Sequence, residues 1–258
     1  MIRITPSYQR GLSIIELLIA LAISSLLILG VTQIYVDNKS NFFFQQGQSD
    51  NTENARYTML ILEEELRRVG YRTNPSSDFD DSFEQASSGN CDFAEGVVIN
   101  YDATNSRLCL RYKPHVPGVT ACDGLAQPGP GTEPYPKEPR SVDDIIVDLT
   151  FTGNDLLCND QPVFDNLVDL QFEFGVSTIN NSREAGAYKL APVNNKEIQS
   201  VRYAALIKSG SGNLATDTQS QAYEYWQETY YGTSAAAAPD RALYMVTENT
   251  INLRNLTR

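Results

Sequence analysis

Arg10-Gly11-Leu12-Ser13-Ile14-Ile15-Glu16-Leu17-Leu18-Ile19-Ala20-Leu21-Ala22-Ile23 opens an apolar run that continues to Val36. From Leu12 to Val36 the only charge is Glu16, and an apolar helix of that length crosses a hydrocarbon core of ~30 Å. Arg3 and Arg10 precede the run and no acidic residue does. The positive-inside tendency then holds the N-terminus in the cytoplasm and sends everything after Val36 across the membrane. Glu16 needs a cause, because a carboxylate costs about 2.5–3.5 kcal/mol at the centre of a spanning helix and less toward its edge. A cut between Gly11 and Leu12 supplies one. The new α-amino group of Leu12 would lie one helical turn from Glu16 on the same face, within one chain or across to a neighbouring chain.

A short basic leader, a Gly, a hydrophobic residue, Glu as the fifth residue after the Gly and then an apolar helix resemble the type III signal of type IV pilins and pseudopilins. In that family a prepilin peptidase cuts after the Gly and methylates the new N-terminus. The resemblance therefore implies Gly11 as the cleavage residue, Leu12 as the methylated residue and Glu16 as the assembly residue. Two plainer readings compete with it. An uncleaved signal-anchor also carries basic residues before an apolar run, and Ala20-Leu21-Ala22 mimics a signal-peptidase site. The run continues past that site through Leu26, Leu27, Ile28, Leu29 and Val31, which a removed signal peptide does not need.

The chain has 258 residues, 41% of them hydrophobic, with 14 Tyr and 10 Phe, enough for one folded domain beyond the anchor. Its formal charge is −12, and loss of residues 1–11 with Arg3 and Arg10 takes it to −14. So acidic a body lacks the clustered cations that phosphate backbones require, and no nucleic acid is expected as a partner. Cys91, Cys109, Cys122 and Cys158 all fall in the part placed outside the cytoplasm, where an even count favours two disulfides. Four cysteines allow three connectivities, and the sequence does not choose among them. Cys91–Cys109 with Cys122–Cys158 is the preferred pairing. The gaps are too long for a structural zinc site, and His115 is the only histidine.

After Val36, Ala55, Met59, Leu62, Leu66 and Val69 recur at steps of four and three, an amphipathic helical stripe. Glu63, Glu64, Arg67 and Arg68 face away from it, and Gly70 stands where a C-terminal cap belongs. Gly30 and Gly47 are the expected bends, since Gly weakens a helix interior by about 1 kcal/mol. Phe42-Phe43-Phe44 forms an aromatic cluster suited to the membrane boundary or to a subunit contact. Residues 74–90 read as a loop, and Asp78, Asp80 and Asp81 lack the spacing of a calcium loop. Strand patterns cover Gly96–Tyr101, Arg107–Tyr112, Ile145–Phe151, Val168–Val176, Val201–Lys208 and Leu243–Leu253. From Pro114 to Pro139, seven Pro and four Gly exclude regular structure. Tyr223, Tyr225, Trp226, Tyr230 and Tyr231 are the densest aromatic group, fit either to cover a sheet or to anchor a partner.

Pro162–Val176, Val201–Ile207 and Asn252-Leu253-Arg254-Asn255 further resemble PilW-type minor pilins and are similar to the J-type pseudopilins of type II secretion. That resemblance implies an α+β fold: a long N-terminal transmembrane and amphipathic helix packed on an antiparallel β-sheet. The expected division is a leader at 1–11, a transmembrane segment at 12–36, an amphipathic continuation at 37–70 and an extracytoplasmic β-rich domain at 71–258. It implies a subunit stored in the inner membrane by a single helix and carried into an extracellular pilus. Its partners would be prepilin peptidase, an inner-membrane assembly platform, membrane lipid, other minor pilins and the major pilin. It would prime assembly at or near the tip, supporting twitching motility, adhesion or DNA uptake. A J-type pseudopilin and a signal-anchored periplasmic binding domain are the alternatives. There is no GxSxG, no phosphate loop and no HExxH, so neither an enzyme nor a cofactor is expected.

Overall fold

A computed structural model describes residues 13–130, 142–177, 185–190 and 198–256. The chain divides into two units, Met1–Gln46 and Gly47–Arg258. One helix, α1 (Ile14–Arg68), contributes to both. It stays α-helical through Gly30 and Gly47.

In the first unit every described residue is exposed. Ser13 starts the helix, its Oγ accepting from the Ile15 amide at 3.4 Å and its carbonyl from Leu17 at 3.1 Å. The hydroxyls inside the apolar run are satisfied locally. Ser25 Oγ donates to the Ala22 carbonyl at 2.8 Å, and Thr32 Oγ1 to that of Ile28 at 2.7 Å, which removes the cost of a bare hydroxyl in an apolar medium.

The second unit has two larger antiparallel sheets sharing one hydrophobic core. Five strands, β3 (Ile99–Asp102), β4 (Arg107–Tyr112), β5 (Ile145–Thr152), β6 (Asp155–Cys158) and β7 (Gln161–Phe164), run in chain order. β8 (Leu167–Val176), β9 (Ala187–Lys189), β10 (Ile198–Lys208) and β11 (Tyr244–Asn252) form the other sheet in the order β11-β10-β8-β9. A small hairpin, β1 (Ala86–Ser88) with β2 (Cys91–Phe93), and the helical turn α2 (Phe79–Ser82) lie in the segment read as strand-free. The strand pattern of β8 alternates as its sequence does: Leu170, Phe172 and Phe174 are buried, while Asp169, Gln171 and Glu173 are half-buried on the other face. β10 is apolar on both faces because both are covered. Val201, Tyr203, Ala205 and Ile207 join the main core, and Ala204 and Leu206 pack against a third helix, α3 (Gln221–Tyr231).

The second half of α1 is part of that core through Ala55, Leu62, Leu66 and Val69. Polar contacts hold its end. Glu65, 2% exposed, accepts from the Tyr112 hydroxyl at 3.0 Å and meets Arg68 at 3.2 Å. Arg68 also serves Glu64 and the carbonyl of Thr120, so its attraction offsets only part of the burial cost. Burial pushes the Glu65 carboxyl up from 4.5 to about 7, against the lowering effects of Arg68 and the Tyr112 hydrogen bond. After Arg68 the chain turns through Gly70 at φ +68°, and the Asn255 side-chain amide donates to the carbonyls of Arg67, Arg68 and Val69 at 3.1, 3.4 and 3.0 Å. Those are end carbonyls that the helix cannot satisfy itself.

Disulfides join Cys91 to Cys109 and Cys122 to Cys158. The first lies beside Arg111, whose guanidinium is fully buried between the rings of Phe83 and Phe93, 5.1 and 4.9 Å from its centre. Arg111 donates to the carbonyls of Val97, Glu84 and Ala94 and pairs with Asp144 at 3.4 Å. Residues 83–97 are thus pinned to the five-stranded sheet by one cation and one covalent bond. The second disulfide ties the described part of the Pro-rich stretch to β6.

Two measurements check this docking. Asn255→Ala should cost about 1–2 kcal/mol in unfolding, and Asn255→Asp at least as much, because a carboxylate faces the negative end of a helix; equal midpoints for all three chains would show the clasp inert. Glu65 has a raised folded pKa, so its favourable contribution is complete below pH 4.5 and is lost as pH rises through about 7. Relative to Glu65→Gln, the wild type should therefore lose of order 3 kcal/mol across that window. Parallel stability curves would refute the assignment.

Candidate assembly site

Glu16 sits in the first turn of α1, where a carboxylate meets the positive end of the helix dipole. It is exposed, and the residues around it, Ile15, Leu17, Ile19 and Leu21, are exposed apolar side chains. Gly11 and Leu12 lie outside the described residues, as does the leader before them. What the described residues display is a helix start with one acid in an apolar surface that runs on through Val36. The helix is long and apolar enough to cross a membrane. Within a hydrocarbon core an acid in that position would be costly without a cation beside it.

Beyond the run, Phe42, Phe43 and Phe44 are 63%, 44% and 39% exposed. Phe42 and Phe43 meet edge to face at 5.9 Å, and the Lys39 ammonium stands 5.7 Å over the Phe43 ring. Gln33 donates to Asp37 at 3.0 Å. Polar side chains thus begin to pair with one another where the apolar run ends.

The second unit brings together residues that sequence patterns did not single out. Arg111 and Lys113 both reach Asp144, at 3.4 and 2.7 Å, which makes Asp144 an anchor for two buried cations. His115 is exposed and packs edge to face on Tyr71 at 5.8 Å; burial and the nearby Arg68 charge lower its pKa. The cysteine sulfurs near Asp148 belong to the Cys91–Cys109 disulfide, so they offer no thiolate to a metal.

The aromatic group at 223–231 lies on α3, which covers the outer face of β10. Trp226 is buried against Ala204 and Leu206, whereas Tyr225 and Tyr231 remain exposed. The helix carried legible caps. Ser220 Oγ accepts from the Tyr223 amide at 3.3 Å, and Gly232, at φ +66°, donates to the carbonyls of Gln227 and Glu228. Its aromatic, strand-like composition hid them.

Comparison with known proteins adds two matches and one structural likeness. Residues 6–32 match the prokaryotic N-terminal methylation motif, and residues 142–255 match the PilW family, type IV pilus-assembly protein W. A type IV-like pilin from Thermus thermophilus is 13% identical, with a TM-score of 0.46 over 80% of this chain and 97% of that one. No curated protein matches the sequence. The methylation motif covers the start of the membrane-length helix, and the PilW match runs from before β5 to Asn255, whose amide caps that helix. The chain thus joins a segment similar to the prokaryotic N-terminal methylation motif to a C-terminal part similar to the PilW family of type IV pilus-assembly proteins.

Proposed function

We propose that this chain is a membrane-stored subunit that helps prime a type IV pilus and sits at or near its tip, in support of twitching motility, adhesion or DNA uptake. The observation that carries the proposal is the pairing of a methylation motif on an exposed apolar helix with a PilW-type head. Prepilin peptidase would cut after Gly11 and methylate Leu12. In the inner membrane, with the head in the periplasm, lipid covers residues 14–36. On extraction by the assembly platform, helices of other minor pilins and the major pilin take over that role, and Glu16 pairs with a Leu12 amine. In an apolar bundle neither charge is stable alone, so the pair fixes axial register. No cofactor enters this work.

The same N-terminal motif serves pseudopilins, so piliation decides the destination. Deleting the gene should abolish or sharply reduce sheared surface pili, with recovery on complementation. Unchanged piliation together with lost exoprotein release would assign the chain to type II secretion as a J-type pseudopilin. Glu16→Ala should behave like the deletion while leaving membrane insertion intact; normal piliation from that variant would remove the assembly role from Glu16. Gly11→Val should accumulate unprocessed chain and Gly11→Ala much less, since the peptidase must seat a small residue there. Wild-type processing of Gly11→Val would refute the cleavage assignment.

A further inference from the structure

Between α3 and the outer face of the β8–β10 pair lies a cleft of about 300 Å³, walled by Val168, Asp169, Leu206, Tyr223, Trp226 and Tyr231. Asp169 Oδ2 accepts from Trp226 Nε1 at 2.9 Å and from the Tyr231 hydroxyl at 2.6 Å. Its Oδ1 accepts from the Leu170 amide at 2.8 Å. Gln171 Nε2 adds longer contacts to both oxygens at 3.4 and 3.3 Å. The carboxylate is therefore held in place and its lone pairs are in use, yet none of the ion pairs drawn among the described residues includes it. α3 itself, Gln221–Tyr231, has Glu224 and Glu228 and no Lys or Arg. Glu248 of β11 accepts from Tyr225 and Tyr230 on the same helix. Among the described residues the cleft thus combines a fixed carboxylate that has no cationic partner with the rings of Tyr223 and Tyr231 over the buried Trp226.

We propose that this cleft binds a quaternary ammonium group. Aromatic faces attract cations, Trp most strongly, and the attraction grows when water is displaced. Donating the indole N–H and the phenol O–H to Asp169 makes both rings richer in electrons. The saturated carboxylate selects among cations. A primary ammonium brings three N–H donors that need acceptors, and Asp169 has none to spare. A quaternary ammonium asks only for Coulomb attraction and apolar contact. A neutral sugar needs free hydrogen-bond partners and gains nothing from the charge. The site is independent of the pilus reading, since it lies wholly in the second unit.

Trp226 is the only tryptophan in the chain, so its emission reports on the cleft alone. The full chain in dodecyl maltoside micelles is titrated with choline chloride at constant ionic strength. The expected result is a saturable change with a midpoint near ~1 mM, as a few contacts permit. Ethanolamine should need at least about tenfold more, and glucose should do nothing. Asp169→Asn keeps an acceptor for Trp226 and Tyr231 but removes the charge, and should raise the midpoint about tenfold. Tyr223→Leu removes one wall and should raise the choline midpoint severalfold, so it decides if the Asp169 variant misfolds. Phosphatidylcholine mixed into the micelles distinguishes the source: saturation at a lower choline concentration than with the free compound assigns a lipid headgroup, and otherwise a soluble one. No saturable change with choline, equal response to ethanolamine or glucose, or indifference to both substitutions would overturn the proposal.

Discussion

Burial of one stripe of α1 against the shared core of the two larger sheets is the contact on which the second unit depends. Leu62, Leu66 and Val69 are fully buried there together with residues of β4, β5, β8 and β10. Burying side chains of that size stabilises by about 1.5–3 kcal/mol each. A helix that far into a core must also dispose of its end. The chain does so by returning its own C-terminal residues to the carbonyls of Arg67, Arg68 and Val69. The PilW match runs to Asn255, so the capping residue falls inside the matched segment. The first and last described segments of the second unit are therefore interdependent, and neither β10–β11 nor α1 is complete without the other.

Three charged side chains inside this unit each meet more than one partner. Glu65 has Tyr112 and Arg68, Asp144 has Arg111 and Lys113, and Arg111 has three carbonyls and two rings. Removing a single partner from such a buried group leaves a charge without compensation, which costs more than the pair contributes. Arg111 of β4 in this way fixes the segment 83–97 through the carbonyls of Glu84, Ala94 and Val97, and Arg68 of α1 reaches the carbonyl of Thr120 in the segment 113–130.

Legibility in the sequence tracked the length of each periodic pattern. The stripe from Ala55 to Val69 and the alternation of Leu170, Phe172 and Phe174 span enough turns or strand residues to declare themselves, and α1, β4, β5, β8, β10 and β11 were readable for that reason. β6 and β7 were not, since four residues hold too few alternations. Their turns were the better signal: Asn159 and Asp160, at φ 49° and 63°, form the two-residue link that antiparallel hairpins favour. α3 was masked by aromatic residues common in strands, although Ser220 and Gly232 bracket it. Glu65, Arg111 and Lys113 look like surface charges in sequence, because burial of a charge depends on partners 29 to 47 residues away that no local window contains.

Gly47 shows how one residue type meets two demands. Within a helix Gly is ordinarily a weak point, and at Gly30 nothing lies within 4 Å of where a β-carbon would stand. At Gly47 that position falls 2.3 Å from Leu214 Cδ1 and 3.5 Å from Leu243 Cδ1. The missing side chain there is a packing requirement, letting the backbone of α1 approach the segment that also receives Asn51 at the Leu243 carbonyl, 2.7 Å away. Gly30 has no such reason. In a helix without proline from Leu12 onward to Val69, it is the one interior position of the apolar run where bending costs least. Bending at Gly30 would disturb no packed contact among the described residues.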